Sequence, residues 1–580
     1  MLLALSILPV VILIVLMTLP VKGSRWVRLP LPAHVALPAV AVLAYGLQLF
    51  CFRPGSTAAT QAASSVSLWT NRFVHAGAID GVLSALTPLA IVFGAVLLFK
   101  TMEKSGAMAT LTARLRTLSP DPVAQLVLVG WAFSFLIEGL SGFGTPAALA
   151  APILVGLGFP AVRVAAMCLI MNSVPVSFGA VGTPVWFGLG ELGLTSEQLH
   201  AVGFKAAAIN ASAALVIPLL ALRVVVPWSV IRPRLSFLLL VIAATVGPYV
   251  VAARFSVEFP SIIGGVTGLL ASVLAARHRT GLPRAFVASG NKTALPASPC
   301  STTAPRMSLF RAASPLLAVV VILAATRIGD LGIKGLLTSE ADGASAALGP
   351  IGEAWISPAV VVGVKNILGT GTSWKMPLLY VPFILPFVVV TLLAVPVLRM
   401  SRAAVAAAWG ETIKQLTRPA IALVGALVLV KMMMLGGASS PAMLMGHAMA
   451  DAAGSAWPLF APLLGALGSF FSGSNTVSNL TFAPVQAAAA GSLSLNLTTI
   501  LALQTVGGSM GNMVCIHNIV AVAAVLGLKD RGARPMPSAA DERPPMATGG
   551  VAAILRLTIG PMLVYAAIAS AAAGILGIVE

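Results

Sequence analysis

The sequence predicts an all-α polytopic membrane protein of about 12 crossings, built as two inverted repeats that each hold a re-entrant hairpin and a broken helix. Three observations point there. Of 580 residues, 58% are hydrophobic and 9% charged, and the mean hydropathy of +0.99 is far above that of a soluble chain. Apolar stretches recur at the roughly 17–25 residues a helix needs to cross a bilayer, where a barrel would show short alternating segments. Two polar, glycine-containing interruptions, Ser141 to Thr145 and Ser472 to Thr476, stand 331 positions apart within apolar runs.

The first stretch, Leu2 to Val21, lacks a basic n-region and a small-residue cleavage site and is read as a membrane helix, not a signal peptide. The net charge of +18 falls in loops between apolar segments rather than on an aromatic-studded face, which speaks for cytoplasmic loops and against nucleic acid. Cys51, Cys168, Cys300 and Cys515 show no CxxC spacing and no His in metal-ligand register, so neither a disulfide framework, a metal nor a cofactor is expected.

Orientation follows Lys and Arg, which short cytoplasmic loops retain. Lys22, Arg25 and Arg28 put the N-terminus outside; Ala33 to Phe52 then leads out and Leu83 to Phe99 in. Val123 to Leu157 is broken by Ser141 to Pro146 into arms each somewhat short for a crossing, hence a hairpin entered from inside. Val164 to Gly190 crosses outward with a break at Asn172 to Gly179, and Ala206 to Leu222 returns. Leu235 to Ala253 and Ile262 to Ala276 form an out-and-back pair before a linker, Arg277 to Arg311, with six Lys or Arg and no acid. Pro315 to Ala325 goes out, Leu378 to Leu398 in, and Ala420 to Leu435 out; Gly437 to Gly454 is expected along the outer interface. Trp457 to Phe471 then enters from outside, turns at Ser472 to Thr476 and returns through Leu480 to Ala490. Ser494 to Leu528 crosses inward with a break at Gly507 to Asn518, and Val551 to Ile578 closes the chain. The expected organisation is 1–234 as first repeat, 235–313 as linking pair and basic loop, and 314–580 as second repeat.

At the offset of 331, Ser141, Gly142 and Thr145 fall on Ser472, Gly473 and Thr476; with one residue of slip, Ser177 and Gly179 fall on Ser509 and Gly511. One hairpin enters from inside and the other from outside, so the repeat is inverted, an arrangement that points to a site near the midplane. Irregular backbone at membrane depth is tolerated only where protein buries it or water reaches it. At a tip, the first N–H groups of the returning helix lack partners and bear the positive end of the dipole. Two opposed tips would make an anion site sized for a carboxylate. The plainer alternative is that the glycines only let helices pack closely, but the Ser, Thr and Asn around them exceed what packing requires.

The segments Phe135 to Pro146, Leu154 to Phe159, Asn172 to Gly182, Gly473 to Asn479 and Gly507-Gly508 resemble, in this order, the L-lactate permease family. The resemblance implies uptake of L-lactate, glycolate or related 2-hydroxy monocarboxylates coupled to protons across a bacterial-type plasma membrane. The Ser474-Asn475-Thr476 tip also looks like that of a wider group of ion-coupled carboxylate transporters. The chain departs from the pattern where some members carry Asp in place of Asn475 and Lys in place of Asn512, followed by Ser-Pro-Gln where this chain has Cys515 to Asn518.

Glu138 is the only acid in the run Val123 to Leu140, and an intramembrane carboxylate is a functional candidate by default. It is expected to carry the coupled proton; the structural alternative has it tie down the backbone of its hairpin tip. Substrate contacts are expected from Ser141, Gly142, Gly144, Thr145, Asn172, Ser177, Ser474, Asn475, Thr476, Asn479, Asn512 and His517. Lys431 and Arg327 are candidate partners of the substrate carboxylate, weighed against snorkelling and interfacial anchoring. The expected partners are thus a small carboxylate, a proton or Na⁺, and the lipid bilayer. A sodium-coupled carboxylate symporter is the alternative, with Asn475 and tip carbonyls holding the ion. An intramembrane enzyme is disfavoured, because HExxH and paired intramembrane Asp arrangements are lacking.

Overall fold

The computed structural model describes residues 1–18, 31–52, 66–142, 144–283, 307–327, 331–341, 343–528 and 550–578. Most of the basic linker, with Cys300, and the loop holding Lys22, Arg25 and Arg28 lie outside them, as does Phe143. Among the described residues ten helices are long and apolar enough to cross a bilayer, or up to 12 if each bent pair is one span.

The N-terminal part comprises α1 (Leu2–Thr18), α2 (Ala33–Phe50), α3 (Val66–Ser84), α4 (Leu86–Lys104) and α5 (Ala107–Thr117). Here the sequence reading is corrected: the crossing expected at Leu83 to Phe99 is the inner part of a longer rod, because α3 runs into α4 across Ala85 alone. The first hairpin follows as α6 (Pro122–Val127), a π-helical turn (Leu128–Phe133), α7 (Ser134–Ser141) and α8 (Thr145–Val155). Asp121 starts it by accepting from the N–H groups of Val123 and Ala124 at 2.9 and 3.1 Å, and Arg234 anchors that carboxylate at 2.6 Å. The arm Pro122–Ser141 has 20 residues, longer than expected, whereas α8 has 11 and is short.

The first broken helix is α9 (Ala161–Asn172), a 3-10 turn at Pro175–Phe178 and α10 (Gly179–Trp186), bent by 54°. Next come α11 (Ser196–Ala214), α12 (Ile217–Val225), α13 (Trp228–Ile231) and the pair α14 (Leu235–Phe255) and α15 (Pro260–Arg277). An aromatic ladder, Trp131 to Phe135 to Tyr249 to Phe178 with centroids 5.3–5.5 Å apart, joins the first arm, α14 and the break.

Beyond α16 (Leu309–Arg327) and α17 (Ile333–Thr338) the outer loop forms a small antiparallel meander, β1 (Ala344–Ala347), β2 (Glu353–Ile356), β3 (Val361–Lys365) and β4 (Trp374–Pro377). The sequence reading left this stretch as loop. A second π-helical turn (Ile384–Val389) leads into α18 (Val390–Val397), then α19 (Arg402–Met434), which begins 18 residues before the expected Ala420 because Ser401 caps it, and Glu411, Lys414 and Arg418 lie in the added length. Against α19 lie α2, α3 and α4.

The stretch expected along the outer interface is instead part of the bundle: α20 (Pro441–Ala453) packs on α1 and on α22, burying Pro441, Ala442, Met445, Gly446 and Ala450. The second hairpin is α21 (Trp457–Ser472) and α22 (Asn475–Ser492); the second broken helix is α23 (Leu497–Gly511) and α24 (Ile516–Val525), and α25 (Gly550–Ile578) closes the chain. Glycines do seat α21 on α23: a β-carbon at Gly507 would stand 2.1 Å from Pro462 O and one at Gly511 2.4 Å from Ala466 O. Close packing therefore accounts for those two, as the plainer alternative holds.

Candidate functional site at the hairpin tips and helix breaks

The first tip turns on two glycines. Gly142 (φ +61) and Gly144 (φ +72) both hold left-handed backbone, which any side chain resists, and this lets α8 start within three residues of the end of α7. Gly142 abuts the first break, where its β-carbon would lie 3.0 Å from that of Ala180. At Gly144 a β-carbon would meet Asn518 Oδ1 at 2.7 Å, so this tip also abuts the second break.

The second tip is held by side chains. Ser474 caps α22 by accepting from Val477 N at 3.3 Å, and Ser472 Oγ donates to Ser474 O at 3.0 Å. Gly473 (φ +71) faces the second break, with Cys515 Sγ 3.3 Å and the His517 side chain 3.6 Å from where its β-carbon would be. The tip glycines bear on the breaks, Gly142 on the first and Gly144 and Gly473 on the second. The meeting ground is Asn512 to Asn518, where Asn518 Nδ2 donates to Asn512 Oδ1 and, at 3.3 Å, to Asn512 O.

Three helices begin at this ground. The N-termini of α8 and α24 carry no side-chain cap, and the Gly144 to Asn518 contact brings them together. Their positive dipole ends suit an anion; at α8 the dipole carries this rather than free N–H groups, because Thr145 N already donates to Gly142 O and Pro146 has no N–H.

Glu138 is 1% exposed and sits one turn before the first tip. Asn172, the last residue of α9, donates to its Oε2 from Nδ2 at 2.9 Å, and Gly179, the first residue of α10, lies against Oε1, where a β-carbon would stand at 2.4 Å. The carboxylate thus touches both sides of the first break. Ala180 and Val181 there hold φ of +46 and +58, and for β-branched Val181 that is strained backbone.

Ser177 and Ser509, matched by the repeat alignment, meet hydroxyl to hydroxyl at 2.7 Å. Asn210 donates to Ser177 Oγ at 2.9 Å and to Tyr249 OH at 2.8 Å and accepts from Tyr565 OH at 2.7 Å. Asn475 donates to Ser509 Oγ at 3.0 Å and Thr505 O at 2.9 Å; Asn479 donates to Thr505 Oγ1 at 3.1 Å and to Pro184 O at 2.8 Å. One buried network therefore runs from α25 through both broken helices to the second hairpin. Sequence reading missed Asn210, Tyr249, Thr505 and Tyr565, although a lone amide inside apolar α11 is itself a signal.

Of the other candidates, Ser141 bonds its own helix at Ile137 O, Thr145 N donates to Gly142 O, Thr476 is buried on α22 and His517 is exposed. The two basic candidates find protein partners outside the tips. Lys431 bridges Asp80 and Glu191, at 2.6 Å each; Arg327 donates to Tyr380 O at 2.7 Å, covers that ring at 3.9 Å and lies 3.7 Å from Glu258.

Comparison with known proteins identifies the family. The L-lactate permease family matches residues 3–534. The chain is 41% identical over 566 residues to a putative L-lactate permease of Haemophilus influenzae, covering 98% of this chain and 97% of that one. It is 30% identical to an L-lactate permease of Halalkalibacterium halodurans, over 77% of this chain and 81% of that one. Among solved structures, the YdaH transporter of Alcanivorax borkumensis is similar at a TM-score of 0.44 and 15% identity, over 94% of this chain and 96% of that one. Matched by the family over residues 3–534 and by one relative over nearly its whole length, the chain belongs to the L-lactate permease family and is a multi-pass plasma-membrane transporter.

Proposed function

We propose that the chain is a secondary active transporter that carries L-lactate or a related 2-hydroxy monocarboxylate, glycolate included, in symport with protons. The observation that supports this best is the joining of two uncapped helix N-termini at Gly144 and Asn518, beside a hairpin whose arm holds the buried Glu138. Positive helix ends receive the carboxylate; Asn512, Asn518 and His517 offer donors to the hydroxyl. Substrate and proton bind together, and the hairpins with the broken helices move as a unit against the remaining helices.

The repeat division at 1–234 and 314–580, joined by 235–313, belongs to the same proposal. Residues equivalent under a two-fold axis can touch only near that axis, and the Ser177 to Ser509 contact, 332 positions apart, supports it.

One observation favours sodium as a second reading of the coupling ion. Asn475 Oδ1 and Ser469 Oγ are buried oxygens without hydrogen-bond partners, both beside Gly508. Proteoliposomes separate the readings. An imposed pH gradient should accumulate labelled lactate without sodium; accumulation that requires a sodium gradient favours the second, and accumulation of no short hydroxy acid under either gradient overturns both.

A further inference from the structure

Asn172 is 2% exposed, and its two amide ends are in unequal positions. Nδ2 donates to Glu138 Oε2 at 2.9 Å, whereas Oδ1 is buried with no partner. A buried acceptor left unpaired is costly, and its presence next to a group that exchanges a proton calls for an explanation. An ionised carboxylate only accepts, while a carboxylic acid also donates, and an asparagine amide has one face for each. A half-turn about the last side-chain bond exchanges Nδ2 and Oδ1.

We propose that Asn172 is a positioning residue that accompanies Glu138 through both protonation states, donating from Nδ2 to the carboxylate and, after the half-turn, accepting at Oδ1 from the acid. The orphan oxygen is then the acceptor reserved for the other state. Because Asn172 ends α9 and Gly179 on Oε1 opens α10, the exchange is felt at both edges of the first break. Among the described residues no charged side chain pairs with Glu138. The segments packed on α7 are α4, α8, α9, α10, α15, the π turn and the 3-10 turn; their charged residues, Lys100, Glu103 and Lys104, Arg163, and Arg277, stand at segment ends, and Glu138 makes no ion pair among the described residues. Cys168 on α9 is the remaining titratable group of these segments and is buried.

The proposal rests on reading Glu138 as the proton carrier, and infrared difference spectra of the reconstituted full-length protein between high and low pH test the two separately. A protonated-carboxyl C=O band is expected at low pH and lost in Glu138→Gln; absence of such a band overturns the proton-carrier reading itself. With that band present, Asn172→Leu should keep it but move it to higher wavenumber, the mark of an acid that has lost its acceptor, and Asn172→Thr should move it part of the way back. A band unmoved in Asn172→Leu overturns the proposal. Should Asn172→Leu not reach the membrane, carbon-13 asparagine in the otherwise unaltered protein gives the same reading. An amide band that follows the carboxyl band with pH and is missing from Asn172→Thr is expected; amide bands silent to pH overturn the proposal.

Discussion

The two hairpins make the same turn by different means. The first relies on backbone: Gly142 and Gly144 in left-handed conformation, no side-chain cap on α8, and one buried carboxylate a turn away. The second relies on side chains, with Ser472 and Ser474 securing the tip and Asn475, Asn479, Gln486 and Gln504 tying α22 to its neighbours. Glu138 and Ser469 lie at the repeat offset of 331, so a charge in one half answers to a hydroxyl in the other. The proposed repeat need not extend to chemistry. A single carboxylate in a pair of matched hairpins suits the one-proton cycle proposed above, and the neutral second hairpin, tied by side chains, suits a wall of the site.

This contrast can be broken by experiment. The largest effect is expected from Glu138→Gln, which should reduce pH-driven uptake in proteoliposomes to background while lactate exchange persists; retained gradient-driven uptake would remove the functional asymmetry. Next, Gly144→Ala should cost transport more than Gly473→Ala. Both force a side chain into left-handed backbone, worth about 1–2 kcal/mol, but the new methyl presses harder on a break residue at position 144, Asn518 Oδ1 at 2.7 Å, than at position 473, Cys515 Sγ at 3.3 Å. A drop in lactate affinity of roughly tenfold or more, about 1.4 kcal/mol, is expected for Gly144→Ala alone, read from competition binding. Equal losses would show that both tips bear on the substrate alike.

Smaller effects concern stability. Ser474→Ala removes the cap of α22 and should lower thermal stability in detergent by about 1 kcal/mol, with transport retained; loss of transport at unchanged stability would move Ser474 from wall to site. The smallest effect is expected at the shared contact. In a double-mutant cycle of Ser177→Ala and Ser509→Ala, coupling of about 0.5–1.5 kcal/mol is expected from one net hydrogen bond. Additive losses would mean that the two hydroxyls do not support each other.

Both hairpins and both breaks were legible because each sets polar or glycine residues inside a long apolar run, a contrast hydropathy shows directly. What escaped did so for physical reasons. The α3 segment carries Asn71, Arg72, His75 and Asp80, and its apolar signal is diluted by charge that folding satisfies through Lys431. Ahead of Ala420, α19 holds Arg402, Glu411, Lys414 and Arg418 and so reads as loop; there Glu411 pairs with Lys100 at 3.2 Å and with Lys104. Strands of four or five residues between glycines and prolines give too short an alternation to notice. At the site, sequence supplied the tips and breaks but not their pairing. That Gly144 meets Asn518, or Ser177 meets Ser509, depends on packing between halves more than 300 positions apart, which local pattern does not encode.

The π-helical turn at Leu128–Phe133 has a bearing on the carboxylate above it. An α-helix turns by about 100° per residue, so one residue absorbed into a wider turn resets the azimuth of everything beyond it without moving the anchored end. Below the bulge, Asp121 and Arg234 fasten the arm; within it, Trp131 reaches Thr245 at 3.1 Å; above it, Glu138 points to Asn172. The bulge works as a vernier. It lets the lower arm be chosen for anchorage and the upper arm for aim, so that a one-residue deletion there would leave the hairpin in place and its carboxylate facing the wrong neighbour.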